Sequence, residues 1–179
     1  MNELEVIQDV TLSLDILGIP YMLTGSLAMN YYATPRMTRD IDMVIELHNS
    51  KIELLENEFK GKYYIDSDLI KLAINSKKMF NIIHLESFIK VDMIIKKDSE
   101  FRLLEFERRK KVPFVHLEIY IVSKEDLILS KLAWARDSRS ELQKRDILNL
   151  LSTGYDKEYL HSHIHRLELK EIFEDFTRE

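Results

Sequence analysis

The spacing of apolar residues along the chain switches between helical and strand-like periods, which predicts a mixed α/β (α+β) fold. The predicted helices cover about residues 3–17, 26–33, 50–60, 98–110 and 123–136, and two more follow. The predicted strands cover about residues 21–25, 40–47, 79–86, 88–96 and 116–122, and residues 63–78 are ambiguous. Because only helices follow residue 122, we expect a core over 1–122 and a C-terminal helical lobe over 123–179, packed as one compact unit.

Composition and charge exclude several classes of function. With 45% hydrophobic and 32% charged residues over 179 positions, the chain has the composition of an ordinary globular domain. A net charge of −5 argues against a general attraction to nucleic acids or to an anionic membrane surface. The absence of cysteine excludes disulfides, thiolate zinc sites and a cysteine nucleophile. No apolar run reaches roughly 18 residues, and the start MNELEVIQDV lacks the basic residues of a signal peptide, so we expect a cytoplasmic protein.

One of the four glycines, Gly25, lies in a turn between a predicted strand and a predicted helix. Gly25 ends the strand-like run Tyr21–Thr24, and Ser26 then opens a helix-like segment. A strand, a Gly-Ser turn and a helix N-terminus together are typical of a phosphate-binding site, because the first amides of a helix attract anions. Four glycines in the whole chain are too few for a Gly-rich dinucleotide loop or a Walker A loop.

Three acidic residues on predicted strands are the candidate chemistry. Strand alternation places Asp40 and Asp42 on one face, with their Cα atoms roughly 6.6 Å apart, so both carboxylates can converge on one hard cation. The opposite face is apolar and carries Ile41, Met43, Ile45 and Leu47. For this pair alone, a solvated strand edge is the alternative interpretation.

Asp92 adds a third carboxylate, in the middle of the nearly continuous apolar strand 88–95. Taken alone, Asp92 is as readily explained by a structural role as by a functional one. The structural role would be an edge-strand acid or a salt bridge to Lys90 or Lys96. Three strand-borne carboxylates downstream of a Gly-Ser turn instead suit two-metal phosphoryl chemistry, in which two ions hold the attacking and leaving oxygens.

These motifs together resemble the nucleotidyltransferase superfamily of DNA polymerase beta, and most closely its minimal bacterial and AbiEii/AbiGii toxin-type members. The resemblance rests on Gly25-Ser26, on Arg36-x-Thr38-x-Asp40-Ile41-Asp42 and on Val91-Asp92-Met93. Segments 125–132 and 144–147, which contain Lys131 and Asp146, are similar to helical motifs of the toxin-type branch. The resemblance implies a mixed sheet flanked by helices with a C-terminal helical lobe.

The resemblance also implies roles for individual residues. Asp40, Asp42 and Asp92 would bind magnesium, as two ions, with Mn²⁺ as an alternative, and Asp92 would also accept the acceptor proton. The nucleotide would be bound by Gly25, Ser26, Arg36, Thr38, Lys131 and Asp146. Lys131 lies beside an apolar helix stripe, from which its long side chain can reach a cleft.

The implied activity is transfer of a nucleoside monophosphate from a nucleoside triphosphate to a hydroxyl of tRNA or another RNA, a protein or a small molecule. A toxin with an antitoxin protein as partner is one biological setting for it. A catalytically silent nucleotide-binding or partner-binding module is the main alternative, and a helix-turn-helix DNA reader over 123–151 is a weaker one.

Two other features have open interpretations. The basic run Arg108-Arg109-Lys110-Lys111 fits a nucleic-acid backbone contact or a solvated loop. Trp134 and the pair Tyr31-Tyr32 are expected to be packing residues, with base stacking as the alternative.

Overall fold

The computed structural model describes residues 1–38 and 40–178, and in these residues a seven-stranded mixed sheet is flanked by α-helices. The strands are Tyr21–Thr24 (β1), Ile41–Ile45 (β2), Tyr63–Tyr64 (β3), Met79–His84 (β4), Lys90–Ile95 (β5), Lys110–Phe114 (β6) and Leu117–Ile121 (β7). The helices are Glu3–Ile16 (α1), Gly25–Tyr32 (α2), Ile52–Phe59 (α3), Ser67–Ser76 (α4), Glu100–Glu107 (α5), Lys124–Ser138 (α6), Glu141–Ser152 (α7), Lys157–Arg166 (α8) and Lys170–Thr177 (α9). The predicted fold class is confirmed.

The strand order is β3-β4-β5-β2-β1-β7-β6, which puts β1, β2 and β5 in the centre of the sheet. β1 pairs with β2 in antiparallel orientation, whereas β2 and β5 run parallel. The acids on β2 and β5 therefore point out of the sheet at the same level, because residues in register on neighbouring strands share a face.

The alternation predicted for β2 is present. Ile41, Met43 and Ile45 are fully buried, and Asp42 and Val44 between them are half-buried on the other face. At the start of the chain, α1 is capped by Asn2 and Glu5 in a capping box, and it buries one apolar stripe. Local sequence signals thus determine where these two elements begin and which side faces the core.

Helix α6 begins where the sequence predicts. The Ser123 hydroxyl accepts a hydrogen bond from the Asp126 amide and caps the helix. The helix ends at Ser138, two residues beyond the predicted end, and its apolar stripe is fully buried. The members of that stripe are Leu127, Ile128, Leu129 and Leu132.

Two sequence predictions about elements need correction, and one ambiguous segment is resolved. The charged helix predicted over 98–110 ends at Glu107, and an unpredicted edge strand, β6, starts at Lys110. Within residues 139–178, three helices follow α6 instead of the two predicted. The ambiguous segment 63–78 contains the short strand β3 and helix α4.

The basic run at 108–111 is neither a solvated loop nor an open basic surface. Arg108 donates to Asp126 and stacks on the Tyr159 ring, and Arg109 lies over Phe106 and donates to its carbonyl oxygen. These internal contacts remove two of its four cations from any nucleic-acid interface. In the described part of the chain, no helix has the length and apolar character needed to cross a membrane.

Candidate active site

The turn between β1 and α2 lies directly against Asp42. Thr24, the last residue of β1, pairs with Asp42 in the antiparallel register, and Gly25 then opens α2 with a φ of +65°. A Cβ atom on Gly25 would lie 2.0 Å from Asp42 Oδ2. Glycine at position 25 is therefore required both by the backbone conformation and by the carboxylate that packs on it.

Asp42 and Asp92 lie side by side on adjacent parallel strands. They are direct register partners in the pairing of β2 with β5. Asp92 is buried, and its carboxylate accepts hydrogen bonds from Asn81 and from Lys90. Burial, followed by the neighbouring carboxylates of Asp92 and Asp40, raises the pKa of Asp42. Two carboxylates held this close are unfavourable unless a cation lies nearby.

The donor set suits a hard divalent cation, since all three predicted ligands are carboxylates. Asp40 is mostly exposed just before β2, and the Lys90 ammonium lies 4.0 Å from its Oδ1 and 3.0 Å from Asp92 Oδ2. The Lys90 ammonium thus partly neutralises Asp40 and Asp92. Across residues 1–38 and 40–178, no three His, Cys, Asp or Glu side chains are assembled as a metal-binding group. The fit to magnesium rests on Asp42 and Asp92, with Asp40 at the rim.

A second cluster of predicted residues forms around Asp146, which is buried on α7. Arg36 binds its carboxylate with two hydrogen bonds, at 2.8 Å from Nε and 3.0 Å from Nη2, and Nη2 also donates to Ser26 Oγ at 2.6 Å. The Lys131 ammonium donates to Asp146 Oδ2 at 2.8 Å and to Gln143 Oε1 at 3.2 Å. We call Ser26, Arg36, Lys131, Gln143 and Asp146 the Asp146 cluster.

The electrostatics of the Asp146 cluster favour an anion. Burial alone would raise the pKa of Asp146, but hydrogen bonds from Arg36 and Lys131 lower it below its usual value. One carboxylate is matched by two cations, so the cluster keeps an excess positive charge beside the first turn of α2. Thr38, in the connection before β2, is half-buried and is not among the hydrogen-bonded side chains of this cluster in the described residues.

A cleft of about 230 Å³ connects the two groups of residues. Gly25, Ser26, Asp42 and Lys131 all line it. These four are among the nine predicted site residues. Three more contact or pair with them: Arg36 with Ser26, Asp146 with Lys131, and Asp92 with Asp42. Lys131 reaches the cleft from a position that is 4% exposed, as expected for a side chain beside the apolar stripe of α6.

The cleft also contains residues that the sequence analysis missed. Trp134, expected to be a packing residue, is 67% exposed and lines the cleft, so that prediction is wrong. Tyr32 does pack, and its hydroxyl donates to the Val122 carbonyl. Leu127, Ser130, Lys131 and Trp134 follow one another at i, i+3, i+4 and i+7, which is one helix face. That spacing around Lys131 was a signal in the sequence for Ser130 and Trp134.

Glu105 is a buried carboxylate at the cleft that no sequence motif indicated. It is 3% exposed, and it accepts from Arg102 Nη1 at 2.8 Å and from Ser130 Oγ at 2.5 Å. Arg102 Nη1 also donates to Ser130 Oγ at 2.6 Å, which closes a triangle of side chains. Burial raises the pKa of Glu105, and the interactions with Arg102 and Ser130 oppose this.

Solved structures with the same architecture provide the comparison. The antibiotic-resistance factor ANT(2'')-Ia superposes with a TM-score of 0.61 over 98% of this chain and 98% of its own, at 12% identity. The chain has the nucleotidyltransferase fold. A nucleotidyltransferase-like antigenic protein from Paracoccidioides brasiliensis gives a TM-score of 0.57 over 97% of this chain and 90% of its own, at 14% identity.

A further structure with this fold is the lincosamide antibiotic adenylyltransferase LnuA in its lincomycin-bound form. It gives a TM-score of 0.54 over 86% of this chain and 99% of its own, at 16% identity. No family model and no curated protein matches the chain. The nucleotidyltransferase part of the predicted resemblance is therefore confirmed at the level of the fold, and closeness to the AbiEii/AbiGii branch stays a prediction.

Proposed function

We propose that this protein is a magnesium-dependent nucleotidyltransferase that moves a nucleoside monophosphate from a nucleoside triphosphate to a hydroxyl acceptor. The observation that carries the proposal is the in-register pair Asp42 and Asp92, with the Asp42 carboxylate packed on Gly25 at the N-terminus of α2. A phosphate chain bound at that helix start lies next to the acids. In phosphoryl transfer, two acids beside the phosphate chain can hold the metal ion that the reaction needs. Without that role, the repulsion between the two carboxylates would only lower the stability of the fold.

The phosphate chain is bound by the turn and by the Asp146 cluster. The first amides of α2 have no side-chain cap, since Thr24 caps the helix with its backbone only. These amides, the Ser26 hydroxyl and the excess positive charge of Arg36 and Lys131 bind the β and γ phosphates. Asp146 holds the two cations in position and does not touch the nucleotide.

The acids provide the metal site and a proton acceptor. Asp42 and Asp92, with Asp40 at the rim, hold the magnesium, which when bound neutralises charge that develops on the phosphate oxygens. The acceptor oxygen forms a bond to the α phosphorus, the bond from this phosphorus to the bridging oxygen breaks, and pyrophosphate leaves. Asp92 receives the hydroxyl proton, which then passes to solvent.

For the acceptor, the solved structures favour a small molecule. LnuA is a lincosamide antibiotic adenylyltransferase, and ANT(2'')-Ia has been solved with adenylyl-2''-tobramycin, at a TM-score of 0.60 and 13% identity to this chain. A small molecule with a hydroxyl group is therefore our first candidate. A tRNA or protein hydroxyl, and a toxin role with an antitoxin partner, rest on the sequence resemblance alone.

The direct test supplies the protein with each triphosphate labelled at the α phosphate, magnesium, and a lysate fraction of small molecules, RNA or protein. We expect label in one fraction and release of pyrophosphate. Asp42→Asn and Asp92→Asn should each lower transfer at least about 100-fold, because several kcal/mol of charge stabilisation are lost. Asp68→Asn, at a carboxylate that is 90% exposed, is the matched control and should keep full transfer.

A silent nucleotide-binding module is the second candidate, and the Lys90 ammonium on Asp92 and Asp40 favours it, because a fixed cation already neutralises those acids. Nucleotide binding that is unchanged by magnesium and gives no pyrophosphate in any fraction would favour the module. A magnesium-dependent rise in melting temperature that Asp42→Asn abolishes would favour the enzyme.

A further inference from the structure

The cleft extends past the carboxylates toward a part of the molecule that the phosphate chain does not need. Val44 and Ile94 follow Asp42 and Asp92 by two strand positions on the same face, and both line the cleft. Lys96 lines it four positions after Asp92, which is about 13 Å further along the strand. The extension has an apolar floor and is continuous with the phosphate-binding turn.

Trp134 lines the same cleft as Val44, Ile94 and Lys96. Its side chain is 67% exposed although it is the largest apolar side chain on α6 and the one tryptophan of the chain. Packing in the core does not account for an indole in that position. An exposed aromatic face beside an apolar floor is a suitable place for a planar heteroaromatic ring, because stacking on an aromatic side chain stabilises every base.

The wall of the extension is polar and rigid. Glu105, Ser130 and Arg102 hold one another through three hydrogen bonds, and Glu105 is buried except toward the cleft that it lines. Each carboxylate oxygen accepts one of these bonds and keeps a further lone pair. Arg102 Nη1 donates one hydrogen bond to Glu105 and one to Ser130, so neither of its protons is left for a ligand. The wall therefore offers a fixed acceptor.

We propose that this extension is a nucleobase subsite, in which Trp134 stacks on the base and Glu105 accepts a hydrogen bond from an exocyclic amino group. The inference rests on the proposed function, because the subsite is the continuation of the triphosphate site along one cleft. That continuity assigns the extension to the nucleotide and not to the acceptor. Adenine, guanine and cytosine carry an amino group and uracil does not, so the subsite selects ATP, GTP and CTP over UTP.

The tryptophan makes the test direct. The full-length protein with magnesium is titrated with ATP, GTP, CTP, UTP and inorganic tripolyphosphate while Trp134 fluorescence and binding heat are recorded. We expect quenching by ATP, GTP and CTP at the concentrations where heat is released, and binding of UTP about 10-fold weaker, because the Glu105 acceptor then stays unpaired. Tripolyphosphate should displace ATP without quenching of its own.

Two variants separate the stacking contact from the polar contact. Trp134→Ala, at an exposed position, should weaken ATP about 10-fold by calorimetry and leave tripolyphosphate affinity unchanged. Glu105→Gln should bring UTP within about 3-fold of ATP, because the amide offers a donor to the uracil carbonyl. Glu107→Gln, exposed on the same helix, is the matched control and should keep the discrimination. If Glu105→Gln does not fold, Trp134→Ala and the wild-type titration decide the matter.

The outcomes separate this inference from the function on which it rests. Calorimetric binding of ATP without any change in Trp134 fluorescence overturns the subsite and leaves the transferase proposal intact. Equal quenching by tripolyphosphate and ATP also overturns it, as does equal affinity for UTP and ATP in the wild type. If no nucleotide binds by calorimetry, the proposed function fails and the subsite fails with it.

Discussion

Asp146 shows what a single residue contributes to this site. The residue is 2% exposed, and its carboxylate is bound by two cations, one from the connection after α2 and one from α6. A buried charge is tolerated only when partners and hydrogen bonds replace water, and Asp146 meets that condition. The sequence indicated Asp146 and Arg36 through separate motifs, but their contact joins residues 110 positions apart and has no local signal.

The first prediction at the residue scale concerns acid denaturation. Because hydrogen bonds from Arg36 and Lys131 lower the pKa of Asp146, its stabilisation is present above the unfolded value of about 3.9 and is lost as the pH falls through the folded value. Asp146→Asn should therefore lower the free energy of unfolding by about 3 kcal/mol at pH 7. Below about pH 4 the difference should shrink, because the unfolded carboxyl then takes up a proton while the folded one stays ionised until the pH falls through its lowered pKa.

Urea denaturation of both proteins between pH 3 and pH 7 measures this difference. Asp68→Asn, at a position with 90% exposure beside Lys71, is the control and should change stability by less than about 0.5 kcal/mol at every pH. A loss from Asp146→Asn that is the same at pH 3 and pH 7 would contradict the ion-pair account.

At the scale of elements, the sequence predicted correctly the features that are set within one segment. It did not predict features that depend on contact with another segment. The cap at Ser123 and the apolar stripe of α6 were readable, because both are set by residues within two turns of each other. The edge strand β6 was missed because Lys110 and Lys111 gave it the composition of a charged helix end, and only its pairing with β7 makes it a strand. Trp134 was wrongly predicted to be a packing residue, because its exposure depends on which other elements cover α6, and the sequence of α6 does not contain that information.

The prediction at this scale concerns the junction of β1 and α2. Gly25→Ala puts a methyl group 2.0 Å from Asp42 Oδ2 and also strains a backbone with φ +65°. It should abolish nucleotide binding, since either Asp42 or the start of α2 must move. In Asp42→Ala the carboxylate is gone and only the Cβ atom of residue 42, at 2.9 Å, still crowds the added methyl group. Adding Gly25→Ala there should therefore cost less than in the wild type, where the carboxylate clash adds to a backbone strain of about 1 kcal/mol.

Gly61→Ala is the matched control for this double-mutant cycle. Its φ is +89°, but the space around its Cβ position is open. It should lose about 1 kcal/mol of stability and keep full nucleotide binding. If Gly25→Ala destabilises the wild type and the Asp42→Ala background equally in thermal unfolding, the interaction free energy between positions 25 and 42 is zero and the packing argument is wrong.

At the scale of the molecule, the sheet explains why residues from distant parts of the chain form one cleft. Strand alternation in the sequence showed which face Asp42 occupies, but the order β5-β2-β1 that makes Asp42 and Asp92 neighbours is a property of the whole sheet. The same holds for Glu105 and Ser130, which meet across α5 and α6 and belong to different predicted units. The local chemistry was predictable, and the shape of the pocket was not.

The last prediction concerns how the 1–122 core and the helical lobe unfold. Hydrogen bonds link them at several points: Arg36 to Asp146, Asn149 to Thr34, and Ser130 to Glu105. The buried apolar cluster also continues from the strands into α6 and α7. We expect a single calorimetric transition, with van't Hoff and calorimetric enthalpies equal, because neither part can lose these contacts alone.

Asn149→Ala removes the hydrogen bonds that join α7 to Thr34 and tests this coupling. It should lower the melting temperature by about 2 to 4 °C and leave one transition, detected at the same temperature by circular dichroism and by Trp134 fluorescence. Lys71→Ala, on the exposed side of α4, should leave the midpoint unchanged. Two transitions in the wild type, or a variant that shifts the fluorescence midpoint without the circular dichroism midpoint, would show that the lobe unfolds independently of the core.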